Sequence, residues 1–211
     1  MKINDFKKLP ILGIMRGVKS RNLEPLLETV IQAGLKTIEI TMNTAGADLL
    51  IREAIKTSGK SLAIGAGTVT DMKSLHLALD SGAGFIVMPV LVREVVEHCA
   101  KNGIPVFPGA LTPKEIFDAW EAGATMVKVF PAKFFGPEYF REIKGPFQNI
   151  ELLACAGVTP GNLKAYFENG ASAVSFGSGV FRNEWIEKKN YTAIGSRIGE
   201  YIDSFENAAR R

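Results

Sequence analysis

Histidine and cysteine are scarce: the 211 residues contain two of each. Cys99 and Cys155 cannot form a disulfide framework, so a reducing, cytoplasmic setting is expected. His76 and His98 both fall in helical stretches and have no neighbour at ligand spacing. They read as solvated helix residues, and neither a metal nor another cofactor is expected. No apolar run is long enough to cross a membrane. The opening "MKINDFKKLPILGIMRG" has a charged start, but its apolar run is short, ends at Arg16, and precedes no small-residue cleavage site. It is therefore not expected to act as a signal peptide. Basic runs are absent too, and the net charge of +3 is spread out, so no nucleic-acid partner is expected. Hydrophobic residues at 46% and charged residues at 22% describe an ordinary globular chain, long enough for one domain over residues 1–211.

The chain does have a repeat. "QAGLKTIEIT", "DSGAGFIVMP", "EAGATMVKVF" and "ENGASAVSFG" each place a glycine (Gly34, Gly82, Gly123, Gly170) between an amphipathic stretch and an apolar run. The glycine signals a helix C-terminus and the run signals a strand. "ILGIM", "LAIGAG", "IPVFPG" and "ELLACAG" lie between them, making eight short strands. Helical patterns separate the strands. Leu23, Leu26, Leu27, Val30 and Ile31 form a stripe, "TPKE" from Thr112 is a capping box, and Ile194, Ile198, Ile202 and Phe205 share one face. Proline at the first helical position is also read in "TPGNL" and "FGPEYF". Regular βα alternation points to an α/β single-domain (β/α)8 barrel of the TIM type. An open doubly wound sheet is the alternative, but "GIMRGVKS" after the first strand is not its glycine fingerprint.

Lys128 lies inside the strand "TMVKVFP", where an ammonium is costly to bury. Strand side chains alternate, so Val127 and Val129 suit the helix side while Lys128 enters the barrel with Met126 and Phe130. In "KTIEIT" the same rule sends Ile38 and Ile40 outward and Glu39 inward. Both strands are even-numbered, so the two side chains can share a layer. One reading is a structural ion pair. The other is chemical: a desolvated lysine amine can attack a carbonyl to form an imine, and a nearby carboxylate can move the protons. Together they suffice for an aldolase that needs no metal.

Barrel sites form at the C-terminal ends of strands. Arg16, Thr41, Asn43, Thr68, Pro89 and Phe130 sit there and are candidate substrate-binding residues. Arg16 suits a carboxylate, although a surface arginine is equally compatible. Thr68 can hydrogen-bond an α-keto acid or cap the next helix. The glycine-rich "CAGVTPGN" and "FGSGVF" follow the last two strands, where Gly157, Gly177, Ser178 and Gly179 can offer amides to phosphate or serve simply as turns. Cys155 reads as a small apolar strand residue. A phosphate-binding isomerase or synthase, or a keto-acid sensor, would not need the buried amine.

"LPILGIMRG", "IEITMNT", "IGAGTV", "FIVMP", "PGALTP", "KVFPAKFFGPEYF", "GVTPGNL" and "FGSGVF", in this order, closely resemble the bacterial 2-keto-3-deoxy-6-phosphogluconate (KDPG) and 4-hydroxy-2-oxoglutarate (KHG) aldolases. The resemblance implies a class I aldolase, usually a homotrimer, that releases pyruvate and glyceraldehyde 3-phosphate from KDPG, or pyruvate and glyoxylate from KHG. The galactonate epimer of KDPG is the alternative substrate. The resemblance also implies that Lys128 forms the Schiff base, Glu39 is the general acid/base, Thr68 and Pro89 line the keto-acid site, and Phe130 flanks the imine. Two positions depart from the family. Asn43 stands where many members place a carboxylate-gripping arginine, a role that falls here to Arg16. Ala156 precedes Gly157 where two glycines are usual, adding a methyl beside the phosphate approach.

Overall fold

The computed structural model describes residues 1–209. Its strands are β1 (Ile11–Met15), β2 (Thr37–Thr41), β3 (Ala63–Gly67), β4 (Ile86–Val87), β5 (Val106–Phe107), β6 (Gly109–Ala110), β7 (Val127–Val129), β8 (Leu152–Cys155) and β9 (Ala173–Phe176). All neighbours pair in parallel, in the order β5-β4-β3-β2-β1-β9-β8-β7-β6. The two ends of that order, β5 and β6, are consecutive in the chain and separated only by Pro108. They are two halves of one interrupted strand, and they close the sheet into the expected barrel. The interruption was not foreseen. Its cause is Pro108, which has no N–H for the ladder but whose carbonyl still accepts from Lys128 N at 2.8 Å.

The helices form the outer layer. Gly34, Gly82, Gly123 and Gly170 all have left-handed φ, between 90° and 100°, so the repeated glycine does end each helix. The capping box of α6 (Pro113–Glu121) forms as read, with Thr112 N donating to Glu115 Oε2 at 2.8 Å. Pro160 opens α8 (Pro160–Glu168) at the first helical position, whereas Pro137 is the N-cap of α7 (Glu138–Lys144) and not its first turn. Among the described residues, no helix is long and apolar enough to cross a membrane.

Alternation along the strands divides the core in two. Ile38, Ile40, Val127 and Val129 pack against the helices. Leu12, Phe85, Val87, Phe107, Met126, Leu153, Cys155 and Ala173 fill the barrel, and Phe6 of the short α1 (Ile3–Phe6) joins them from the N-terminus. Each large apolar side chain buried there contributes about 1.5–3 kcal/mol, which offsets the cost of the two charged groups held in the same interior.

Candidate active site

Glu39 and Lys128 are both buried, at 1% and 6% exposure. β2 and β7 lie half a turn apart in the ring: with β5 and β6 taken as one strand, four steps separate them in either direction. The side chains therefore enter from opposite walls. Sequence alternation alone placed both correctly. Glu39 also depends on a neighbour that the sequence reading passed over. It pairs with Gly65 in β3, and its carboxylate lies over Gly67, where an added Cβ would fall 2.1 Å from Oε1. The alternating glycines of "IGAGTV" are the signal that was missed: Gly67 clears the space this side chain occupies, and Gly65 clears the space of the Phe85 ring below it in the barrel.

Burial lifts the Glu39 carboxyl to about 6, although Lys128 and then Arg16 pull it down. Its Oε2 has no hydrogen-bond partner among the described residues, leaving one oxygen for a ligand or a proton. The Lys128 ammonium lies 5.1 Å from the centre of the Phe130 ring.

Above the pair, the ends of β1, β8 and β9 border a cavity of about 900 Å³. Arg16, Phe130, Gly157, Gly177 and Ser178 line it, as does Cys155, whose thiol burial pushes its pKa up. Cys155 thus packs inside the barrel and also faces the cavity. Thr41, Asn43, Thr68 and Pro89 do not line this cavity. Asn43 and Thr68 act at one remove: Arg16 donates to Asn43 Oδ1 at 3.1 Å and to Thr68 Oγ1 at 3.4 Å. Thr68 is not the cap of α4 (Met72–Asp80), since Asp71 fills that place. It is held instead at φ 56°, an unusual conformation for a β-branched residue. The Thr41 hydroxyl bonds Thr44 Oγ1 at 3.0 Å, and Thr44 accepts from Gly17 N at 2.9 Å, tying the β2 loop to the β1 loop. The Pro89 carbonyl abuts Gly109, where a Cβ would lie 2.0 Å from its oxygen.

At the cavity's other end, Ala156 and Gly157 have φ of 70° and 94°. Gly157 lies against Lys133, leaving no room for a Cβ. Lys133, Arg182 and Arg197 line this end and were not singled out in the sequence. The two histidines are not isolated either: their rings meet edge to face at 5.7 Å across α4 and α5 (Arg93–Lys101). The contact joins two helices that follow one another in the chain. Among the described residues, no group of three or more His, Cys, Asp or Glu side chains is placed to hold a metal.

Lys128 and Glu39 do not line the cavity themselves; Arg16, held by two side chains, and Phe130, beside the Lys128 amine, lie between it and the buried pair, whose carboxylate titrates near neutrality. This arrangement can form an imine with a keto acid and pass protons to and from it. Comparison with known proteins points the same way. A family model described as "KDPG and KHG aldolase" matches residues 3–197. The chain is 34% identical over 176 residues to the 2-dehydro-3-deoxy-6-phosphogalactonate aldolase of Escherichia coli strain K12, covering 83% of this chain and 86% of the relative. A solved structure described as native KDPGal superposes with a TM-score of 0.90 at 29% identity, covering 97% of this chain and 98% of the other. The KDPG aldolase of Legionella pneumophila, with pyruvate captured as a covalent carbinolamine, superposes at 0.81 and 26% identity, covering 90% of this chain and 92% of its own. The match runs through the strands that carry Glu39 and Lys128, and on that extent the chain belongs to the KDPG and KHG aldolase family.

Proposed function

We propose that this chain is a lysine-dependent aldolase that splits a 6-phosphorylated 2-keto-3-deoxy sugar acid into pyruvate and glyceraldehyde 3-phosphate. The observation that carries the reading is the buried Lys128 across the barrel from Glu39, with Arg16 held beside them. Arg16 binds the C1 carboxylate as a charged fork. The Lys128 amine adds to the C2 carbonyl, and loss of water gives the iminium. Removal of the C4 hydroxyl proton breaks the C3–C4 bond. The electron pair moves into the enamine and the aldehyde departs. Protonation at C3 and hydrolysis then free pyruvate and the amine. Glu39, with a pKa of about 6, can give and take these protons near neutral pH. The carbinolamine trapped in the Legionella relative supports the same chemistry here.

The gluconate epimer is the first reading, although the sequence motifs leave the choice between the two epimers open. The relative at 34% identity and the structure with a TM-score of 0.90 favour the galactonate epimer, which is the second reading. KHG is a smaller candidate substrate. Pyruvate release, coupled to lactate dehydrogenase, should be measured on both phosphorylated epimers, their unphosphorylated forms and KHG. Turnover of a phosphorylated epimer is expected, and no pyruvate from any of the five would overturn the reading. We also infer a homotrimer. Phe134, Phe135 and Val90 are 68%, 54% and 55% exposed, large apolar side chains that association with further copies would cover. A monomeric mass in solution would refute it.

A further inference from the structure

Arg16 is an exposed side chain lining the cavity, yet its head is held in place. Its two terminal nitrogens donate to Asn43 Oδ1 at 3.1 Å and to Thr68 Oγ1 at 3.4 Å. Both acceptors are neutral, so they place the guanidinium without cancelling its charge. Other surface cations are paired with carboxylates, as Lys19 and Arg21 are with Glu187. From its place the Arg16 charge reaches the buried pair: burial lifts the Glu39 carboxyl, and Lys128 and then Arg16 pull it down.

The backbone beside Arg16 is held as well, and Thr44 holds it. Gly17, the next residue, has a left-handed φ of 67° just past the end of β1. Its N–H donates to Thr44 Oγ1 at 2.9 Å. That N–H belongs to the planar peptide that joins Arg16 to Gly17, so fixing it fixes the root of the Arg16 side chain. Thr44 itself is buried and has little freedom. Its N–H donates to Thr41 O at 2.9 Å, and its carbonyl accepts from Ala47 N at 3.1 Å, where α3 (Ala47–Ser58) begins. Its hydroxyl also meets Thr41 Oγ1 at 3.0 Å, and Thr41 lies fully buried in β2, two residues beyond Glu39. Met42 N donates to Gly67 O at 2.7 Å, which ties the Thr68 loop to the same turn. The turn Thr41–Thr44 therefore carries two arms, Asn43 on the guanidinium and Thr44 on the main chain.

We propose that Thr44 is a positioning residue for Arg16, and that its turn braces the uncompensated guanidinium over the keto-acid end of the site. A side chain ordered in advance loses less freedom when it grips a carboxylate, and that shows as tighter binding. Thr44 does not line the cavity and acts only through Arg16. The identity of the substrate rests on the aldolase reading; the placing of Arg16 does not.

The test compares wild type, Thr44→Val, Thr44→Ser, Asn43→Ala, Arg16→Ala and the double variant Thr44→Val/Arg16→Ala, with folding checked by thermal melt. The assay is deuterium exchange into the methyl group of pyruvate, followed by NMR, which needs no aldehyde and resolves kcat from KM. Thr44→Val keeps the shape and removes the hydroxyl. It should raise KM for pyruvate about three- to tenfold, matching the loss of one hydrogen bond, and leave kcat within about twofold. Thr44→Ser should recover most of the loss, and in the Arg16→Ala background Thr44→Val should add nothing. Asn43 is exposed, so Asn43→Ala should fold whatever Thr44→Val does, and it should raise KM by a similar factor. Crystal structures of ligand-free wild type and the variants need no turnover: Arg16 should sit between Asn43 and Thr68 in wild type and leave that place in Thr44→Val. If Thr44→Val, or Asn43→Ala where Thr44→Val does not fold, keeps the wild-type KM and leaves Arg16 in place, the brace is wrong while the aldolase reading stands. A KM rise that persists in full in the Arg16→Ala background would also overturn the brace, since Thr44 would then act on something else. If wild type exchanges no pyruvate protons and releases no pyruvate, yet Arg16 leaves its place in Thr44→Val, the aldolase reading fails and the brace survives.

Discussion

Replacing Glu39 by glutamine keeps its shape, removes its charge, and so measures what the buried carboxylate costs. Its pKa is raised from the ordinary 4.5 to about 6, so the folded protein holds the proton more tightly than the unfolded chain does. The stabilisation from that proton is fully present below pH 4.5 and is lost as pH rises through 6. A shift of this size is worth about 2 kcal/mol. Glu39→Gln should therefore be more stable than wild type by about 2 kcal/mol at pH 7.5, with the gap closing toward zero near pH 4. Urea unfolding at a series of pH values reads this directly. The same variant should lose about 10²–10⁴ in kcat, since it can no longer transfer the proton. Wild-type kcat/KM should rise through an apparent pKa near 6, a limb absent from the variant. A variant no more stable at pH 7.5 than at pH 4, relative to wild type, would refute the desolvated carboxylate. Unchanged kcat would refute its part in proton transfer.

Three further substitutions probe the scaffold. Gly67→Ala puts a methyl where Glu39 Oε1 now lies. It should cost about 1–3 kcal/mol and depress kcat much as Glu39→Gln does; normal kcat would show that Glu39 needs no fixed position. Arg16→Lys keeps the charge but loses the fork, so kcat/KM should fall roughly ten- to hundredfold, with Arg16→Ala lower still; a folded Arg16→Ala of near-native efficiency would make Arg16 a bystander. Ala156→Gly relieves a left-handed alanine at φ 70° and should gain about 1 kcal/mol, a rise of roughly 2–4 °C in Tm; a lower Tm would contradict the strain.

Glu39 and Lys128 were legible because strand alternation is local, and a charge between outward-facing valines or isoleucines can only point inward. The barrel was legible because the helix-ending glycine recurs in four units. The break at Pro108 was harder to read: two residues on either side are too few to show a period. Asn43 was read by what it lacks, a charge. Its role in holding Arg16 depends on a contact across 27 residues, which no local pattern reveals. The exposed Lys133 and Arg182 had no apolar frame to mark them. Only the folded loops bring them to one cavity.

Reductive trapping tests the central claim most directly. The protein should be incubated with pyruvate and borohydride, digested, and mapped by mass spectrometry. A reduced three-carbon adduct on Lys128 is expected, and it should be absent from Lys128→Ala. No adduct, or one that persists in Lys128→Ala on another lysine, would contradict the mechanism.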